Sequence, residues 1–377
     1  MFSFFSSEQS NSLSTGTRAW WARLLCSAST LTLKGVFAAA QGTPYPGQPL
    51  QGPGGADYVH ESVAFYDCAE EADGYWLFEP RDPIPDSAHV VVFLHGYGAY
   101  NPMTYGKWIK HLVAKGNIVI YPRYQYNVLW PRPDTFPANA AKAIQDALYE
   151  LQNNPGHVRP VTDQVCYIGH SYGGVIASNL GVNWAQYGIP RPASMLLAQP
   201  GSGPFSGARL EDYSGLPADM KLAIIVGEGD YVVGDEFARL VMETAIHTSE
   251  RNLIVHRKDV HGSKRILATH NEPYALDLDF DTGVRNYTAR RVLMTSRLNE
   301  ADFYCYWKIA DALMLATRES QCEEYALGGT PEQRFMGVFA DGRPIRPLDV
   351  YLPEYFTAPV GADSLPNRER KTKSATR

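Results

Sequence analysis

The stretches Val90-Val91-Val92-Phe93-Leu94 and Ile118-Val119-Ile120 are apolar without interruption, and this constrains the fold more than any other feature of the chain. A strand with one wet face alternates apolar and polar residues, whereas a strand with none is buried on both sides, between helices. Strand-like runs recur at 62–66, 75–78, 89–94, 117–121, 165–168, 194–197, 222–226 and 253–256. Between the later ones lie helical patterns at 104–115, 138–153, 175–187 and 235–248. Strands that alternate with helices need crossover connections and therefore pair mainly in parallel. The expected architecture is α/β: a mostly parallel, eight-stranded twisted sheet with helices on both faces and an irregular insertion after the last strand.

At 377 residues and 45% hydrophobic content the chain can bury a large core, and one large α/β domain over 57–359 accounts for it. Residues 41–56 are rich in Gly, Pro and Gln and read as an extended linker, and 360–377 read as a disordered basic tail. In the first forty residues Arg18 and Arg23 precede a moderately apolar stretch that ends in Ala38-Ala39-Ala40. That pattern reads as an export signal, giving a secreted or periplasmic protein; a disordered leader on a cytoplasmic protein is the alternative. The formal charge of -6 and the lack of a basic block in the body of the chain argue against a nucleic-acid partner. No uninterrupted apolar run is long enough for a transmembrane helix. Of the five cysteines, Cys68, Cys305 and Cys322 are candidates for bridging, but a helix over 305–318 would separate the last two too widely.

The chemistry of the chain centres on Gly169-His170-Ser171-Tyr172-Gly173, which follows a strand-like run and precedes a helical one. A serine on so tight a strand-to-helix turn has an exposed hydroxyl, and glycine neighbours let the backbones approach. Ser171 is the candidate nucleophile. Serine needs a base and a group that orients the base. Asp230 follows the apolar run Ile224-Ile225-Val226 and the turn Gly227-Glu228-Gly229, and His261 follows the last strand after a short loop. Both fall at the carboxyl ends of strands, where open parallel sheets hold their sites. We therefore read Asp230 as the acid and His261 as the base; His270 is the rival base, needing a longer loop, while Asp235 and Asp259 compete less well for the acid. His95-Gly96-Tyr97-Gly98 directly follows the third strand, so the backbone N–H groups of Tyr97 and Tyr172 are the expected oxyanion donors.

These features, in this order, resemble the α/β-hydrolase superfamily over residues 57–318. The short spacing from Ser171 to Asp230 leaves little room for a large lid, which makes the chain similar to the dienelactone-hydrolase-like, chlorophyllase-like and polyester-hydrolase-like branches. The resemblance implies a serine esterase working through an acyl-enzyme on a small-molecule or polymeric ester, with no cofactor and no metal. The chain departs from those branches in the long stretch after His261, which either caps the site or decorates the domain edge.

Tyr124, Tyr126, Trp130 and Tyr231 lie in loops after strands and are candidates to line an apolar substrate pocket, with simple loop packing as the alternative. His95 and His170 flank the site without metal-binding spacing and read as hydrogen-bonding supports. Asp277, Asp279 and Asp281 lack the glycine and terminal glutamate of a calcium loop and read as a solvated acidic turn. Two other functions fit the same residues: an inactive fold kept for binding, and acyl transfer or peptide cleavage.

Overall fold

The computed structural model describes residues 32–38, 44–203 and 207–357. Its strands are β1 (Thr32–Ala38), β2 (Ser62–Cys68), β3 (Tyr75–Arg81), β4 (Ser87–Leu94), β5 (Asn117–Pro122), β6 (Arg159–His170), β7 (Pro192–Ala198), β8 (Lys221–Gly227), β9 (Arg251–His256), β10 (Asp259–His261), β11 (Lys264–Ile266) and β12 (Asp349–Tyr351). Ten of them form one sheet in the order β1-β2-β3-β5-β4-β6-β7-β8-β9-β12, while β10 and β11 form a separate hairpin. The run from β5 to β9 in that order is parallel throughout, and β1, β2, β3 and β12 pair antiparallel at the two sides.

All eight runs expected from the sequence are strands of this sheet; the count of eight is corrected to ten by its two edges. β1 falls within the stretch read as a leader, and its exposed Leu33 and Val36 carry no buried-strand pattern. β12 is three residues long in a proline-rich segment and takes its conformation from pairing with β9, Asp349 opposite Val255 and Tyr351 opposite Leu253. The export signal and the basic tail otherwise lie outside the described residues.

Because successive strand side chains point to opposite faces, neighbours in β4 enter different cores. Val90, Val92 and Leu94 pack under α2 (Phe136–Asn153), α3 (Tyr172–Val182) and α4 (Glu236–Thr244), the helices that follow β5, β6 and β8. Val91 and Phe93 face Trp108 and Leu112 of α1 (Gly106–Ala114) and Leu313 of the helix Lys308–Glu319. Uninterrupted apolar runs are therefore the direct signature of the two-sided burial seen here.

Two loops read as solvated or extended are packed instead. Residues 44–56 lie against the body: the Gly54 N–H donates to Asp311 Oδ2 at 2.8 Å, and Gln48 donates to Tyr58 Oη at 2.9 Å. The acidic turn is an ion-paired anchor, with Lys110 2.9 Å from Asp277 and 2.5 Å from Asp279, and Asn101 donating to Asp281 at 2.8 Å. Residues 275–288 thereby strap the segment 103–107, through amide bonds such as Ala275 to Thr104 O at 2.9 Å, and reach the loop after β4, where Thr288 donates to Tyr97 O at 3.1 Å. The helix Lys308–Glu319 is preceded by a widened π-helical turn, Asp302–Trp307, that buries Phe303, Cys305, Tyr306 and Trp307. Cys68, Cys166, Cys305 and Cys322 are free thiols. Among the described residues no helix is long and apolar enough to cross a membrane.

Candidate active site

Ser171 sits between β6 and α3 with φ 55° and ψ −122°, a region non-glycine residues rarely occupy. Such a conformation costs about 1–3 kcal/mol and persists only where the surroundings impose it. They do so through main-chain bonds: the Ser171 N–H donates to Ala198 O at 3.0 Å, and Ser171 O accepts from Gly174 N at 2.9 Å and Gly201 N at 3.1 Å. Close packing at the bend explains its glycines. A Cβ at Gly169 would lie 2.5 Å from Gly173 O, and one at Gly173 would overlap the backbone oxygens of Leu94 and His95. Gly173→Ala is expected to cost at least about 1–3 kcal/mol through overpacking, seen as a lower thermal midpoint; an unchanged midpoint would contradict this packing.

Asp230 follows β8 and is fully buried. Its Oδ1 accepts from the amides of Val232 at 2.8 Å and Val233 at 3.2 Å, while Oδ2 lies 2.7 Å from His270 Nδ1. His270 Nε2 in turn lies 2.9 Å from Ser171 Oγ. The Nδ1–H donates to the carboxylate, leaving Nε2 to accept from the serine hydroxyl, the tautomer a general base needs. Burial pushes the Asp230 carboxyl up, but His270 and the Val232 and Val233 amides outweigh it and hold it below its usual value. A carboxyl with a lower pKa folded than unfolded stabilises the fold above its unfolded value, about 3.9, and that contribution is lost as pH falls through the folded one. The stability advantage of the wild type over Asp230→Asn should therefore shrink below about pH 4, measured as urea midpoints from pH 7 downward; a constant gap would show that the carboxylate is not so stabilised.

The structure brings Ser171 and Asp230 together, but with His270 and not with His261. Gly262 and Ser263 form a two-residue turn between β10 and β11, with Gly262 at φ 58° and His261 paired opposite Lys264. The chain therefore doubles back, and after β11 it is tied to the acid loop by the Gly229 N–H, which donates to Ala268 O at 2.9 Å. That return delivers His270 to the strand ends. His261 stays on the hairpin, its Nε2 2.6 Å from Asp341 Oδ2 and its Nδ1 2.9 Å from an Arg343 nitrogen. A Gly-Ser pair between two short alternating runs is a recognised hairpin signal, so the sequence did contain the clue. Glu272, which sequence reasoning missed, accepts from Thr269 N at 3.4 Å and Thr269 Oγ1 at 3.2 Å and so braces the residue before His270.

Both expected oxyanion donors border the serine. Tyr172 is the first residue of α3, where an amide has no partner in a preceding turn. Tyr97 follows Gly96, at which a Cβ would lie only 3.2 Å from Ser171 Cβ. The Gly98 amide donates to Gln125 Oε1 at 2.8 Å, and the Tyr97 hydroxyl to Val128 O at 2.8 Å, so this loop is braced from two sides.

Of the four aromatic candidates for the pocket, Tyr124 is corrected: it is fully buried, stacks on His95 with ring centroids 4.1 Å apart and bonds to the His95 carbonyl. It supports the loop after β4 through these contacts, its own backbone at a positive φ of 36°. Tyr126, Trp130 and Tyr231 are 59%, 81% and 77% exposed, with Lys258 over the Tyr231 ring at 5.1 Å. All three side chains are thus at the surface. No group of three or more His, Cys, Asp or Glu residues among those described is arranged to hold a metal ion.

A parallel sheet with a serine on the bend after β6 and acid and histidine loops after β8 and β11 is the architecture of the α/β-hydrolases. Within that superfamily, the sequence profile of the chlorophyllase family matches residues 82–210. The match runs from before β4 past the Ser171 bend and ends before Asp230 and His270. No curated protein sequence matches the chain.

Proposed function

We propose that this protein is a serine hydrolase that cleaves carboxylic esters through an acyl-enzyme. The observation that carries the reading is the continuous contact from Ser171 Oγ to His270 Nε2, at 2.9 Å, and from His270 Nδ1 to Asp230, at 2.7 Å. In this reading Ser171 Oγ attacks the ester carbonyl as its proton passes to His270 Nε2. Asp230 stabilises the imidazolium that forms. The Tyr97 and Tyr172 amides take the developing oxyanion, each such donor contributing about 3 kcal/mol in comparable sites. His270 then protonates the leaving alcohol, and a water molecule, deprotonated by the same nitrogen, releases the acid and restores Ser171. The similarity to the chlorophyllase family supports chlorophyll as a candidate ester.

The test is to incubate the purified protein with a short-chain aryl ester and with chlorophyll, and separately with a fluorophosphonate probe. Ester turnover, together with a single phosphonylated peptide containing Ser171, is expected. Absence of both turnover and adduct would remove the reading. Asp230→Asn is expected to lower kcat about 10³–10⁴-fold through loss of the required tautomer, measured on the same ester; a rate near wild type would exclude Asp230 from the role.

A further inference from the structure

His170, the residue before the nucleophile, is fully buried, and both of its ring nitrogens are used. Its Nε2 lies 2.9 Å from the backbone oxygen of His270, and its Nδ1 lies 2.7 Å from the Tyr105 hydroxyl, which also accepts the Gly96 amide at 3.0 Å. The directions of these bonds follow from chemistry alone. A carbonyl oxygen only accepts, so Nε2 carries the proton; Nδ1 is then an acceptor and Tyr105 donates to it; the Tyr105 oxygen is left free to accept from Gly96. Burial, and next the neighbouring His270, push the imidazole down to about 3, while burial raises the Tyr105 hydroxyl well above its usual range. Neither group ionises near neutral pH, so the order of donors does not reverse.

The chain Gly96–Tyr105–His170–His270 crosses three segments distant in sequence: the loop carrying Tyr97, the bend carrying Ser171, and the loop carrying His270. We propose that His170, held by Tyr105, is a positioning residue that sets the His270 imidazole against Ser171 by fixing the His270 carbonyl. The inference rests on the reading of Ser171, His270 and Asp230 as the catalytic set. Holding a carbonyl fixes the peptide plane and hence the direction of the adjacent Cα–Cβ bond. The His270 ring enters from a loop and not from the sheet, so its place depends on tethers of that loop; those at Ala268 and Thr269 hold the residues before it, and His170 holds the carbonyl of His270 itself. The rings of His170 and His270 are 5.0 Å apart, so a neutral His170 also avoids opposing the imidazolium that forms on His270. Misplacement of a catalytic group by about 1 Å costs on the order of 100-fold in rate.

Three variants test this on the full chain: His170→Leu, which removes both bonds; His170→Gln, which keeps a donor for the His270 carbonyl; and Tyr105→Phe, which removes the hydroxyl. Expected are a fall in kcat of about 10–100-fold with little change in KM for His170→Leu, recovery to within about threefold for His170→Gln, and an intermediate loss for Tyr105→Phe. Proton NMR of the His270 Nδ1–H that bonds Asp230, assigned by its loss in His270→Ala, provides a readout independent of ester turnover. This resonance should be sharp in wild type and His170→Gln and broadened by solvent exchange in His170→Leu and Tyr105→Phe. A folded His170→Leu with a sharp resonance and undiminished kcat overturns the proposal; should that variant not fold, an unaltered resonance in Tyr105→Phe does so. If the wild type cleaves no ester, the catalytic reading fails and the NMR comparison alone decides the positioning role, a resonance already broad in wild type counting against it.

Discussion

His270→Ala is expected to turn over a short-chain aryl ester about 10⁵–10⁶-fold more slowly than the wild type, while His261→Ala stays within about twofold. The contrast follows from what each ring touches. His270 is buried and bridges Asp230 and Ser171, so its removal leaves the serine hydroxyl and the carboxylate each without that partner. The His261 side chain is 35% exposed and pairs with an Asp341 side chain that is 57% exposed, a surface contact of the kind that contributes about 0–1 kcal/mol to stability. Steady-state rates of the two variants beside the wild type decide the matter. Loss of activity in His261→Ala with retention in His270→Ala would reverse the assignment.

Ser171→Ala is expected to lose about 10⁶-fold in kcat and to form no fluorophosphonate adduct, with its thermal midpoint close to the wild-type value. The fold should tolerate the change because the bonds that hold the bend are made by the backbone of Ser171, to Ala198, Gly174 and Gly201, and not by its hydroxyl. The buried Asp230–His270 pair also remains intact in that variant, so no charge is left without a partner. Turnover at the wild-type rate by Ser171→Ala, checked for contaminating esterase with a second purification, would exclude this serine as the nucleophile.

The parts of the site legible in the sequence are those set by neighbours close along the chain. The bend at Ser171 follows from an apolar run, two glycines and a helical pattern within about a dozen residues, and the acid from an apolar run ended by Gly227-Glu228-Gly229. His270 was not legible in this way. Its approach depends on the β10–β11 hairpin reversing the chain and on Gly229 holding Ala268, a contact between residues 39 apart in sequence. Tyr124 shows the same limit: its loop position suggested a pocket wall, yet it is buried against the His95 ring and bonds to the His95 carbonyl. At the sheet edges, β1 and β12 lack the two-sided apolar pattern and take their form from pairing with β2 and β9.

Short-range order was thus written in the chain itself: which segments are strands buried on two faces, where they break, and that a serine stands on the sharpest break. Those features follow from backbone sterics and from burial of apolar side chains, which act over a few residues at a time. The choice between two histidines nine residues apart was made by packing across the molecule. An imidazole becomes a base only when one nitrogen meets a hydroxyl and the other a carboxylate, and that coincidence requires three loops to close on one another in space.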